Sequence, residues 1–120
     1  TWDIHCIMPD DYKLWLIIPH MHAYGTRITV THATPTTAET LFDVQPWSPA
    51  YTFHPPQIVK DPDAPMVLAK GDSLNVHCEW DNTTSSDMTF GIEMCVSFAQ
   101  FVDDNNTGNV ACDGGHWGPF

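Results

Sequence analysis

Short apolar runs with two-residue alternation, rather than helical periodicity, characterise this chain. In residues 73–80, Leu74, Val76 and Cys78 alternate with polar neighbours, as in a strand with one buried face. The 10 prolines interrupt the pattern often and disfavour helices. The pattern predicts an all-β sandwich or barrel. The predicted strands are Asp3–Met8, Lys13–Ile18, His20–Tyr24, Arg27–Thr34, Glu39–Val44, Gln57–Val59, Met66–Leu68, Ser73–Trp80, Met88–Phe90 and Glu93–Phe101.

Polar and proline-rich segments separate these runs. Gln45–Pro56 carries four prolines and is predicted to be a long connection, and Thr83–Asp87 and Asp103–Gly108 are predicted turns. Gly114–Phe120 is predicted to be a loose tail. A length of 120 residues suits one domain spanning 1–120. Because the chain starts at Thr1 rather than Met, we expect a mature form or a fragment of a longer chain.

The charge balance is strongly acidic, with 15 Asp and Glu residues against 4 Lys and Arg residues and a net charge of −11. Such a surface repels phosphate-rich partners, so the sequence argues against nucleic acid and anionic membranes. The apolar run Leu14–Pro19 is far too short to span a bilayer, and no membrane insertion is expected.

Four cysteines, at positions 6, 78, 95 and 112, are scattered without a Cys-x-x-Cys motif. An even number of this kind favours two disulfides over a zinc site, and spacing alone leaves all three connectivities open. The triplets Asn82-Thr83-Thr84 and Asn105-Asn106-Thr107 match the N-glycosylation sequon. Together these features predict a secreted or otherwise extracytoplasmic protein.

His20-Met21-His22 carries the clearest chemical signal in the chain. On a strand, residues two apart point to one side, so both imidazoles could grip a single ion. The thioether of Met94 would add a soft third ligand. Two imidazoles with a thioether suit copper in either of its two common oxidation states, Cu(I) and Cu(II). We therefore expect one copper per chain, held by His20, His22 and Met94.

Simpler interpretations compete with this one. Met94 could be a core methionine, the residue's commonest use, and Glu93 beside it is expected to be solvated. His77 alternates away from the apolar residues of its strand and is expected to be exposed. Zinc at the two histidines is an alternative, although zinc rarely takes a thioether. A cupredoxin site would need a cysteine thiolate, and all four cysteines are expected in disulfides.

The order of these motifs resembles the second catalytic domain of the copper type II, ascorbate-dependent monooxygenases. That family includes peptidylglycine α-hydroxylating monooxygenase and dopamine β-monooxygenase. Its pattern is a Cys, a His-x-His followed by Gly, a Gly-Asp before a Cys strand, and a Glu-Met-Cys. The matching residues here are Cys6, His20-Met21-His22 with Gly25, Gly71-Asp72 with Cys78, and Gly91-Ile92-Glu93-Met94-Cys95.

This resemblance implies a jelly-roll-like antiparallel β-sandwich with disulfides Cys6–Cys112 and Cys78–Cys95. It also implies a copper site of His20, His22 and Met94 that reacts with O2 or peroxide, with a small-molecule reductant such as ascorbate. Family members carry a second copper in a preceding three-histidine domain, which these 120 residues lack. The substrate-binding Arg, Asn and Tyr of the peptide-amidating branch are replaced here by Ile18, Val96 and Phe98, so peptidylglycine substrates are not expected.

The leading hypothesis is therefore a mononuclear copper-binding domain that resembles the oxygen-binding half of a copper-dependent monooxygenase. Without the second copper domain, whether the isolated domain is an enzyme stays open. Two alternatives are a non-enzymatic secreted module for copper storage, delivery or sensing, and a β-sandwich interaction domain that does not use the metal.

Overall fold

A computed structural model describes residues 1–102 and 107–119 of the chain. Within these residues the chain forms ten strands and one short 3-10 turn at Pro49–Thr52. The strands are β1 Trp2–Ile7, β2 Tyr12–His20, β3 Gly25–Ala33, β4 Ala38–Val44, β5 Ile58–Val59, β6 Met66–Leu68, β7 Ser73–Trp80, β8 Val96–Val102, β9 Thr107–Asp113 and β10 His116–Pro119.

The strands are arranged in two antiparallel sheets. The four-stranded sheet has the order β1-β7-β3-β4, and the six-stranded sheet has the order β10-β9-β8-β2-β5, with β6 also paired to β2. The sheets pack face to face, with the alternating apolar residues of both directed inward. The predicted jelly-roll-like antiparallel sandwich is confirmed.

Both disulfides join one sheet to the other. Cys6 on β1 is bonded to Cys112 on β9, and Cys78 on β7 is bonded to Cys95, the residue before β8. The sulfurs lie in the core with the apolar side chains around them. The connectivity implied by the family resemblance is therefore confirmed, and no cysteine is left as a thiol.

Several predicted elements differ from the structure. β2 continues through Pro19 to His20, so the predicted strand His20–Tyr24 is wrong and His22 lies in a turn. Met88–Phe90 is not a strand, and β8 begins only at Val96. The predicted loose tail at Gly114–Phe120 is wrong over His116–Pro119, because β10 pairs with β9 there.

The segments β9 and β10 were not predicted as strands at all. β9 pairs with its sequence neighbours β8 and β10, and the Cys6–Cys112 disulfide bonds it to the distant strand β1. Of the predicted turn Asp103–Gly108, residues 103–106 lie outside the described residues, as do Asn105 and Asn106 of the second sequon.

No helix in residues 1–102 or 107–119 is long and apolar enough to cross a membrane. Asn82 of the first sequon lies exposed in the connection between β7 and β8. Its side-chain nitrogen donates to the Ser86 carbonyl at 2.9 Å, and its oxygen accepts from the Thr84 amide at 2.9 Å.

Candidate metal centre

A register shift in β2 determines where His20 points. Between Leu14 and Leu16 the pairing with β8 slips, so inward-facing positions change from Leu14 to Ile17 and Pro19. Because the alternation continues from Ile17, His20 lies on the opposite face, away from the core. The predicted candidate ligand is thus turned outward at the last residue of the strand.

The residue between the two histidines is a core residue. Met21 is completely buried, and its carbonyl accepts a hydrogen bond from Thr52 Oγ1 at 3.0 Å. The chain then turns back, with the Gly25 amide donating to the His22 carbonyl at 3.3 Å. A Cβ at position 25 would lie 2.7 Å from Met21 Cε, so a larger residue there would require the buried Met21 side chain to shift. Buried Met21 therefore fixes the backbone between two outward histidines.

The two imidazole rings lie together, although His22 is outside the strand. Their centroids are 5.0 Å apart and the planes are nearly perpendicular. The ring of Phe98 packs against His20 at 5.4 Å. Within the described residues, no hydrogen bond involves the His20 ring.

A backbone carbonyl orients His22. The distance from His22 Nδ1 to the Ile92 carbonyl oxygen is 3.1 Å. A carbonyl only accepts, so Nδ1 carries the proton and donates it. In the neutral ring Nε2 is then the unprotonated nitrogen, which is the one able to bind a metal. Ligand histidines commonly have this arrangement.

Glu93 joins the histidine turn to the segment that carries Met94. Its Oε1 accepts from the His22 amide at 2.5 Å and from the Met94 amide at 3.2 Å. Its Oε2 accepts from the Tyr24 amide at 3.0 Å. Only 7% of Glu93 is exposed, so the expectation that it is solvated is wrong. The sequence motif Glu-Met-Cys marked the residue, but its partners His22 and Tyr24 are about 70 positions away and no local signal identified them.

His22 and Met94 both lie just beyond the end of the ladder that joins β2 to β8. The last ladder pair of β2 and β8 is His20 with Val96. Two residues further along each antiparallel chain are His22 and Met94, and Glu93 and Ile92 hold that end together. Met94 itself is half-buried and lines a groove that neither histidine lines.

Electrostatics favour the neutral form of His20. Burial lowers the pKa of His20, and the neighbouring His22 lowers it further, while Glu93 opposes this. A metal ligand must be neutral imidazole, so a lower pKa keeps His20 in its binding form over a wider pH range.

The other histidines lie elsewhere. On the four-stranded sheet, His77 Nδ1 is 2.6 Å from Asp3 Oδ1 and its Nε2 is 3.3 Å from Glu79 Oε2. His5 contacts Asn75 on the same face, and His32 contacts Asp72. Among the described residues, no three His, Cys, Asp or Glu side chains are placed to hold a metal. The candidate ligands His20, His22 and Met94 include a methionine, so they are not a group of that kind.

Comparisons with known proteins identify no relative of this chain. The chain matches no protein-family model, no curated protein and no solved structure at a significant level. The resemblance to copper monooxygenases stays a prediction based on the motifs.

Proposed function

We propose that this chain is a mononuclear copper-binding domain, with copper held by His20, His22 and Met94. The observation that supports it most is the His22 ring, whose Nδ1 is engaged by the Ile92 carbonyl and whose Nε2 is left to bind. The adjacent His20 ring has the lowered pKa expected of a ready ligand. Copper would supply one-electron redox chemistry at this site.

The donors fit copper better than the competing metals. A thioether is a soft ligand that zinc seldom takes, whereas two imidazoles and a thioether suit Cu(I). A cupredoxin-type site is incompatible with this chain because both cysteine pairs are disulfides and supply no thiolate. The chain's own residues would orient the ligands: Ile92 through its carbonyl, and Glu93 through the His22 and Met94 amides.

The proposal includes an extracytoplasmic location. Two disulfides that close loops across both sheets favour an oxidising compartment, and Asn82 is exposed for modification. In such a compartment O2 and small-molecule reductants would be the natural reaction partners of a copper site. Ascorbate-dependent oxygen consumption by the copper-loaded protein would separate an oxidoreductase from a storage or delivery module.

Copper titration of matched histidine variants tests the site. The protein is loaded with Cu(II) for EPR and titrated with Cu(I) against a chelator of known affinity. We expect His20→Ala/His22→Ala to lower both affinities by more than about 100-fold, beyond the effect typical of losing a supporting hydrogen bond. His5→Ala/His77→Ala removes the same number of histidines from the other sheet and should leave affinity unchanged. Equal affinity in the two double variants would refute the proposal.

Met94 is tested separately. We expect Met94→Leu to weaken Cu(I) binding more than Cu(II) binding, since the thioether favours the softer ion. Met66→Leu on β6 is the control, because it changes another half-buried methionine in the same way. If Met94→Leu behaves like Met66→Leu, Met94 only fills space.

A further inference from the structure

A groove of about 630 Å³ opens beside Met94, and neither His20 nor His22 lines it. One wall is the start of β1 with Trp2, and another is the end of β7 with Trp80. The connection between β7 and β8 contributes Phe90, and Asp113 lies where β9 ends. A volume of this size matches sites that take small molecules rather than macromolecules.

We infer that this groove binds a flat aromatic small molecule that carries no negative charge. The inference goes beyond the proposed copper chemistry. Neither His20 nor His22 lines the groove, and neither do Ile18, Val96 and Phe98, which match the peptide-binding positions of the amidating enzymes. Met94 connects the two sites, because it lines the groove and belongs to the proposed ligand set.

Exposed aromatic side chains are the first argument. Trp2 is 58% exposed and Phe90 is 64% exposed, although both are large and apolar. Both belong to the groove, where Trp80 supplies a third aromatic side chain. Aromatic faces gather flat rings by stacking and edge contacts, each worth a measurable gain in affinity. A ring compound would cover apolar surface that water now contacts.

Charge is the second argument. Asp87 and Asp113 line the groove, and none of its lining residues is Lys or Arg. Glu93 also reaches it, but both its oxygens accept amide hydrogens from the histidine turn. The whole chain carries a net charge of −11. A ligand carboxylate or phosphate would therefore be repelled, whereas an uncharged or cationic ring would not.

Calorimetric titration of the metal-free protein with naphthol and with naphthoate tests the inference. The two probes share a ring system, and at neutral pH only naphthoate is anionic. We expect naphthol to bind and naphthoate to bind about ten-fold more weakly, because of the two groove carboxylates. Equal affinities, or no detectable naphthol binding, would overturn the inference.

Two variants locate the binding. Phe90→Ala should weaken naphthol binding about five-fold through loss of one aromatic contact, and Phe53→Ala should not. Phe53 is a matched control because it is also an exposed phenylalanine, at 82%, but lies outside the groove. If both substitutions have the same effect, the probe is not in the groove. His20→Ala/His22→Ala should retain naphthol binding, so this test succeeds or fails independently of copper.

Discussion

His77 and His20 lie on the outer faces of opposite sheets and have contrasting surroundings. His77 belongs to a row of charged side chains that crosses the four-stranded sheet, in the order Asp3, His77, Glu79, Arg27 and Asp43. Each contact in this row joins neighbouring strands or neighbours along β7. Both nitrogens of His77 face carboxylates, so the ring is fully engaged by the protein.

His20 and His22 are much less satisfied by the protein. The His20 ring packs against two other rings, and His22 uses one nitrogen for a backbone carbonyl. The pKa of Asp43 in the charged row is lowered by its hydrogen bond from Arg27, whereas the pKa of His20 is lowered by burial. Among the described residues, both nitrogens of His77 are paired with carboxylates, whereas His20 and His22 keep nitrogens without a protein partner, as the proposed copper site requires.

The largest expected effects come from the disulfides, one of which connects these two regions. Cys78 neighbours His77, and Cys95 neighbours Met94. In the chain-entropy model, Cys78→Ser/Cys95→Ser should lower the free energy of unfolding by about 3 kcal/mol, and Cys6→Ser/Cys112→Ser by about 5 kcal/mol. The loss is larger for Cys6–Cys112 because that bond closes a loop with a sequence separation of 106 residues, against 17 for Cys78–Cys95. Urea denaturation measures both.

The two disulfide variants should rank the other way in copper affinity, with the larger loss in Cys78→Ser/Cys95→Ser. Losing Cys78–Cys95 frees the segment next to Met94, so this variant should lose more Cu(I) affinity than the less stable one. If copper affinity merely tracks stability across the two variants, the disulfide has no specific part in the candidate site.

A smaller effect is expected from Glu93→Gln. The amide cannot accept at both ends, so one of the Glu93 contacts to His22 or Tyr24 is lost. We expect a loss of about 1–3 kcal/mol in unfolding free energy and of about ten-fold or more in copper affinity. Chemical denaturation measures the change in unfolding free energy, and competition for Cu(I) with a chelator measures the change in copper affinity. Glu39→Gln, on the exposed edge of β4, is the control and should change neither.

The smallest expected effect is a pH dependence at His32, which is paired with a carboxylate through one ring nitrogen. Its Nε2 lies 2.8 Å from Asp72 Oδ2. The hydrogen bond from His32, followed by that from the Ala69 amide, lowers the pKa of Asp72 below its ordinary 3.8. Stability from this carboxylate is therefore present above pH 3.8 and is lost as the pH falls through the lower folded-state pKa.

Asp72→Asn measures this contribution. The variant should be less stable than the parent near neutral pH, and the difference should shrink on acidification below 3.8. Urea midpoints across the acid range test it, with Asp63→Asn on an exposed turn as the control. A difference that stays constant with pH would mean that the charge of Asp72 does not contribute.

Much of the fold was predictable because alternation and turn residues act locally. Met66–Leu68 and Ser73–Trp80 have the predicted bounds, and most other strands of the first 80 residues differ by one or two positions. The contacts that join one sheet to the other could not be predicted from the local sequence pattern. Residues 107–113 contain few apolar side chains, and their strand depends on β8 and on Cys112.

The candidate site was predictable in its residue types but not in its construction. The sequence placed both histidines on one strand, whereas the register shift at Leu14/Leu16 and the turn after Met21 bring their rings together. The contacts of Glu93 and Ile92 were missed because they join segments 69–71 positions apart. The groove at Trp2 and Phe90 was missed for the same reason.

The adjacency of Cys95 and Met94 has a thermodynamic consequence. If closing the Cys78–Cys95 bond favours copper binding, then by reciprocal linkage copper must favour the closed bond by the same factor. A metal-loaded chain would then resist thiol reductants better than the apo chain does. Metal supply and the redox state of the compartment would act on this domain as two coupled variables rather than as independent ones.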